Sequence, residues 1–181
     1  NVMLGGYSEL ALSGVALCSQ IQYFLQMTVM GIGAAMVVLA SQFWGKKDTQ
    51  SVQKIIAVGF WVAVAVSMLL WCAAFFFPHG CLGLLTDDQE VIGEGVKYLK
   101  IICFTYVFFG MTNTLLAGLR SVETVRIGFL VSGSTLVINV CLNYLLIYGN
   151  FGAPRLGSQG AAIATLTSRI VEFGTICFYL K

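Results

Sequence analysis

Charge is the scarce ingredient of this chain. Only 10% of its 181 residues are Asp, Glu, Lys or Arg, the net charge is +2, and His79 is the single histidine. A soluble domain carries about 25% charged residues, so this composition excludes an ordinary water-soluble fold. No cluster of Lys and Arg offers a face for nucleic acid. Catalytic constellations are missing too: the apolar stretches hold no HExxH, no Ser/His combination and no paired aspartates, and His79 beside Pro78 reads as an interfacial residue at a helix end. There is no CxxC pair. Cys18, Cys72, Cys81, Cys103, Cys141 and Cys177 stand singly, five of them in apolar runs, and are expected to be small buried hydrophobes rather than metal ligands or disulfide partners. No metal site is expected. The chain opens on Asn1 with no basic segment followed by a cleavage site, so no signal peptide is expected, and the chain reads as a piece of something longer.

What it has in abundance is apolar sequence, 58% by residue with a mean hydropathy of +0.87, the mark of a membrane protein. A bilayer core takes about 20 apolar residues per helix. Five such runs occur: between Leu10 and Lys46, Ile55 to Phe77, Ile101 to Leu119, Ile127 to Tyr148, and Ala161 to Leu180. Helices are therefore expected over 11–44, 55–77, 88–119, 127–148 and 160–180. The runs are too long for strands and lack the alternation of a membrane barrel, whose segments are about ten residues. The predicted fold class is an all-α polytopic membrane bundle.

The connections are short and polar, which makes successive helices antiparallel. Asp87 with Glu90 three residues later predicts a capping box opening the 88–119 helix before its apolar part. Small residues four apart, Gly31 with Ala35, Gly128 with Ser132 and Gly160 with Ala164, predict close helix contacts. Trp44 at one face, and Phe75 to Phe77, Tyr144 and Tyr148 at the other, mark the interfaces. Lys46, Lys47, Lys54, Arg120 and Arg126 share one side, while Lys97, Lys100 and Arg155 share the other. The positive-inside rule places the first group in the cytoplasm, leaving Asp87, Asp88, Glu90 and Glu94 outside and Lys181 inside.

Polar residues within the runs are the informative positions. Gln20, Gln22 and Gln26 lie in the first, Asn113 in the third, and Asn139 and Asn143 in the fourth. An amide in hydrocarbon must find a partner or forfeit roughly 1 to 3 kcal/mol, so these side chains face protein or a wet cavity. Bonds between helices are one role; a cavity wall is the other. Asn139 and Asn143, four apart, share a helix face about 6 Å apart along the axis, roughly 15 Å and 9 Å below the outer end. That stripe favours a cavity. Arg169 and Glu172 sit inside the fifth run at i, i+3, where they can bridge one another or serve substrate or proton movement.

Four stretches in order resemble the multidrug and toxic compound extrusion (MATE) family of cation-coupled exporters: "MLGGYSELALSGVAL", "GIGAAMVVLASQFWGKKD", "LRSVETVR" and "INVCLNYLLIYGNFGAPRLGSQGAAIAT". The resemblance spans nearly the whole chain. It implies that residues 1–10 end the family's helix 1, that the five runs are its helices 2 to 6, and that the chain is an incomplete first lobe of a transporter with two six-helix lobes. It also implies a multi-pass protein of the cell membrane, in bacteria the inner membrane, whose partners are a drug-like small molecule, membrane lipid and the missing second lobe, with no nucleic acid. No cofactor is implied beyond a coupling ion, H⁺ or Na⁺. One branch of the family keeps a polar cluster whose positions here are Tyr98, Asn113, Asn139 and Asn143; with Gln26 these are the candidate substrate or cation path. Asn143 departs from that branch, which has an aspartate there, and an amide cannot take up and release a proton. The branch's helix 1 aspartate would fall just before Asn1. A lipid-linked precursor flippase of the same superfamily would carry a strongly basic cavity, for which only Arg169 is a candidate, and this argues against it; a noncatalytic membrane scaffold is the other alternative.

Overall fold

The computed structural model describes residues 9–124, 126–148 and 157–180, and among these it contains seven helices and no strand. The expected outer tail at 1–8, Arg155 with most of its connection, and Lys181 lie outside the described residues. Helix α1 runs Glu9–Gly45, α2 Thr49–Phe76, α3 Pro78–Gly83, α4 Gln89–Ile102, α5 Phe104–Ser121, α6 Arg126–Tyr148 and α7 Ser158–Leu180. Four helices are long and apolar enough to cross a membrane, and α4 with α5 makes a fifth span if the bent pair is counted as one. At 37 residues, α1 is about 55 Å long, more than a bilayer core requires, so it carries its polar end out of the hydrocarbon.

The ends of the helices follow from local chemistry. Lys47 takes a left-handed turn at φ 59° after α1, and Asp48 then caps α2, accepting the Ser51 N–H at 3.1 Å and the Ser51 hydroxyl at 2.6 Å. That hydroxyl, with the Ser51 amide, holds the Asp48 carboxyl below its ordinary value. Pro78 opens α3, where a missing N–H costs nothing.

Three expectations are corrected here. The cap of α4 is Asp88, not Asp87: the Asp88 carboxylate accepts the Glu90 N–H at 3.0 Å and the Val91 N–H at 3.5 Å. The third helical position is then Val91, and no capping box forms. The span expected as one helix over 88–119 is broken at Cys103 and bends by 47°. No proline causes it. The Thr105 hydroxyl donates to the Ile102 carbonyl at 2.6 Å and the Cys103 thiol to the Lys100 carbonyl at 3.3 Å, while the Tyr106 N–H reaches back only to Cys103; side-chain donors competing for helix carbonyls bend helices in this way. Third, Gly31 faces open space, so the Gly31/Ala35 pair makes no close approach through it. Among the cysteines, Cys18 and Cys103 are buried as expected, whereas Cys141 and Cys177 are exposed on outward faces.

Close contacts occur where backbone meets backbone. A Cβ on Gly14 would lie 2.9 Å from the Gly95 nitrogen, locking α1 against α4, and one on Gly160 would lie 2.6 Å from the Leu146 carbonyl oxygen, locking α7 against α6. The apolar core gathers at the end of the bundle expected outside, where Cys18 and Leu25 of α1, Leu82 of α3, Leu99 of α4, Tyr106 of α5 and Ala162 of α7 are all buried. Helix α6 packs chiefly on α7, while α1, α2 and α5 pack on one another. Phe129, Leu130 and Val137 of α6 are exposed, as an apolar helix facing lipid requires. A gap is left between α5 and α6.

Adding one methyl group separates these contacts. Gly160→Ala should cost about 1–3 kcal/mol by forcing α6 off α7, while Gly31→Ala, with nothing within 4 Å, should be neutral or slightly stabilising through helix propensity. Thermal unfolding in detergent measures both; equal effects would contradict the close α6–α7 contact.

Candidate functional site

The polar positions of α6 and α7 meet across the contact that Gly160 permits. On α6, Ser132, Thr135, Asn139 and Asn143 recur at helical spacing on one face; on α7, Thr165, Ser168, Arg169 and Glu172 do the same. The Asn143 side-chain amide donates to Asn139 Oδ1 at 2.8 Å, the Asn139 side-chain amide donates to the Thr165 hydroxyl at 3.4 Å, and that hydroxyl donates to the Ala161 backbone carbonyl at 2.9 Å. A relay thus runs from α6 into the backbone of α7. The Ser168 hydroxyl donates to Ala164 and the Thr135 hydroxyl to Val131, leaving their oxygen lone pairs free to accept from other donors.

Arg169 is the central residue of the 23-residue α7, deep in the span. Its Nη1 lies 2.6 Å from Glu172 Oε2, with the Arg side chain 26% exposed and the Glu side chain 5% exposed. The guanidinium also sits over the Phe109 ring, 5.1 Å from its centroid. Pairing is what makes two charges tolerable at this depth.

Ser132, Thr135, Asn139, Thr165, Ser168, Arg169 and Glu172 line a cleft of about 360 Å³ between α6 and α7. Ser132 is shared with a neighbouring cavity of about 220 Å³ that Asn113 and Arg120 line from α5. Asn113 and Arg120 in turn border a third, of about 350 Å³, against Met30, Gly33 and Val37 of α1. The three form one trough across α1, α5, α6 and α7. A further cavity of about 410 Å³ is an apolar groove between α1 and α2 away from these groups, and the chemistry lies in the trough.

The expected site residues are divided by the fold. Asn139, Arg169 and Glu172 line the same cleft, Asn143 reaches it through Asn139, and Asn113 lines the middle of the trough while its amide donates to the Phe109 carbonyl at 3.2 Å. Gln26 is half-buried on α1, one turn before Met30 on the trough face. Tyr98 is elsewhere. It is 7% exposed within the apolar core, on the far side of the bend at Cys103. Thr165, Ser132 and Arg120 are trough residues that the sequence reading passed over; hydroxyls abound in such helices, and the signal available was the stripe that Thr165 makes with Arg169 and Glu172.

Residues 1–145 match the family model of MatE. The chain belongs to the MatE family. Among curated relatives it is similar to the probable multidrug resistance protein NorM of Thermotoga maritima, 27% identical over 181 residues, with 99% of this chain and 39% of the relative covered. The protein of the same name from Bacillus cereus is 32% identical over 166 residues, covering 91% of this chain and 36% of the relative. Of solved structures, MATE in complex with MaD3S aligns with a TM-score of 0.90 at 16% identity, and an outward-facing multidrug resistance MATE transporter of the MOP superfamily with 0.87 at 17%; each covers 99% of this chain and 39% of the other. The chain thus spans about two fifths of the length of these proteins. Family and apolar helices together make it a multi-pass membrane protein, and an inner-membrane location fits its bacterial relatives.

If the relay holds α6 to α7 in this MatE chain, Asn139→Leu and Thr165→Val should be coupled. A double-mutant cycle by thermal unfolding is expected to give about 0.6 kcal/mol, the usual size of a bond between membrane helices. Strict additivity would mean that the two side chains do not sense one another.

Proposed function

We propose that the chain forms the first lobe of a secondary active exporter, which moves organic cations or other amphipathic compounds outward in exchange for inward H⁺ or Na⁺. The observation that carries this reading is the trough: an amide and hydroxyl relay and an ion pair, set within membrane-spanning helices and open along one side, in a chain of the MatE family. A bundle that only packed would close such groups against one another. The relatives named as multidrug resistance proteins support the same direction.

In this reading Asn113, Asn139, Asn143 and Gln26 form the polar wall of the path, Tyr98 supports it from the core, and the second lobe of the same parent chain covers the trough. Transport involves no covalent step, so the chain is not an enzyme and needs no cofactor beyond the coupling ion. Amide and hydroxyl oxygens suit a hard cation such as Na⁺. None of the three asparagines can carry a proton.

Efflux of ethidium from cells lacking other pumps, measured for the whole transporter at varied pH and Na⁺, tests the reading. Asn139→Leu should slow efflux several-fold, while Val137→Leu, on the outward face with 62% exposure, should leave it unchanged. If ethidium accumulates equally with and without the transporter under every gradient, export is wrong. Asn143→Asp should add a pH dependence to efflux; a flat profile removes this position from the ion path.

A further inference from the structure

We infer that the apolar groove between α1 and α2 holds an anionic glycerophospholipid of the cytoplasmic leaflet, with one acyl chain lying along the groove and the headgroup phosphate resting on Lys54. The groove lies off the trough, so the inference stands apart from the export reading.

The groove has a volume of about 410 Å³, and among the described residues Lys54 is the single charge in its lining. Ile32, Ala35 and Leu39 form its α1 wall, and Val58 and Val62 its α2 wall. With 3.6 residues per turn, the α1 wall falls on the side of that helix opposite Met30, Gly33 and Val37, which border the trough. The groove therefore opens away from the trough, and Ala35, Leu39, Lys54, Val58 and Val62 are all exposed there. In a membrane, an exposed apolar face of this kind meets lipid. Its depth comes from a missing side chain. A Cβ on Gly59, between the walls, would lie 2.7 Å from Met36 Sδ, so the helices approach closely and their larger side chains stand up on either side.

The position of the charge matches a headgroup. Helix α2 has 28 residues and is about 42 Å long, roughly 12 Å more than a hydrocarbon core. Lys54, about 7 Å from the first residue of α2, thus sits where hydrocarbon gives way to headgroups, on the side assigned to the cytoplasm, with Lys46 and Lys47 in the connection beyond it. From Lys54 the groove follows α2 to Val62, about 12 Å toward the midplane. An ammonium at headgroup level with an apolar furrow running inward from it is complementary to one phospholipid: the lysine stem lies on apolar surface while its charge reaches the phosphate.

The ammonium is available for that contact. Among the described residues the ion pairs are Lys97 with Glu94 and Arg169 with Glu172, and Asp48, the acid nearest to Lys54 in sequence, is bonded to the Ser51 N–H and hydroxyl. A zwitterionic headgroup brings its own cation to the phosphate, whereas an anionic one leaves the phosphate to the protein, so Lys54 favours the anionic lipid.

Native mass spectrometry of the whole transporter in detergent tests the inference, with phosphatidylglycerol and phosphatidylcholine of identical palmitoyl and oleoyl chains as probes. Phosphatidylglycerol should bind at least about fivefold tighter, the factor that one lysine beside an anionic lipid supplies. Lys54→Gln should bring the two lipids within about twofold of one another, while Lys54→Arg and, at the opposite membrane face, Lys97→Gln should keep the preference. Ala35→Phe, which fills the groove from an exposed position, should weaken phosphatidylglycerol at least about fivefold, and Val58→Trp should do the same from the other helix. Glycerol 1-phosphate, a headgroup without chains, should not displace the lipid. Equal binding of the two lipids, a preference that survives Lys54→Gln, an affinity untouched by both groove-filling variants, or displacement by glycerol 1-phosphate overturns the inference.

Discussion

Hydrocarbon offers no hydrogen bonds, and this constraint governs the structure at every level. It allows only helices among the spans, because each backbone N–H and C=O is then satisfied within its own segment. It sends hydroxyls back onto their own helix: Ser19 to Val15, Thr28 to Phe24, Ser134 to Leu130 and Thr175 to Val171 all donate to the carbonyl four residues earlier. Where a side chain is too long or too polar to be satisfied that way, it must reach another polar group. The Asn143–Asn139–Thr165 relay and the Arg169–Glu172 pair are the two largest instances. The site is thus built by the same rule as the scaffold.

The scaffold divides the work between its two ends. At the end expected outside, the bent span folds α4 under the start of α1, and the Gly14–Gly95 contact draws these helices together around Leu25, Leu82 and Leu99. This region is densely packed and apolar. Further along, a cavity opens between α5 and α6, and α6 is held chiefly by α7. A helix attached on one side leaves its other polar face bordering a gap, so a rigid, well-packed end supports an open, polar trough.

The same arrangement places charge inside the membrane although position 143 carries no carboxylate. Glu172, one helix over, puts an acid into the cleft that Asn139 lines. Its guanidinium partner, 2.6 Å away, keeps it tolerable there.

Much of this was legible beforehand, and the boundary has a physical origin. Spans follow from the lengths of apolar runs and antiparallel order from the short connections, while the shared face of Asn139 and Asn143 and the reach of Arg169 to Glu172 follow from the 3.6-residue period of a single helix, so the sequence alone determined them. Whatever depends on a second helix was decided by tertiary structure. Gly31 and Gly160 look alike in sequence, yet only Gly160 meets a partner backbone. Asp87 and Asp88 are equivalent acids until the chain direction chooses which carboxylate faces the first free N–H groups. The bend at Cys103 is invisible in an unbroken apolar run, because it depends on which carbonyls the Thr105 hydroxyl and the Cys103 thiol capture. Thr165 meets Asn139 across 26 residues of chain: periodicity could place each on a face of its own helix, and only the packing of α6 on α7 turned those faces toward one another.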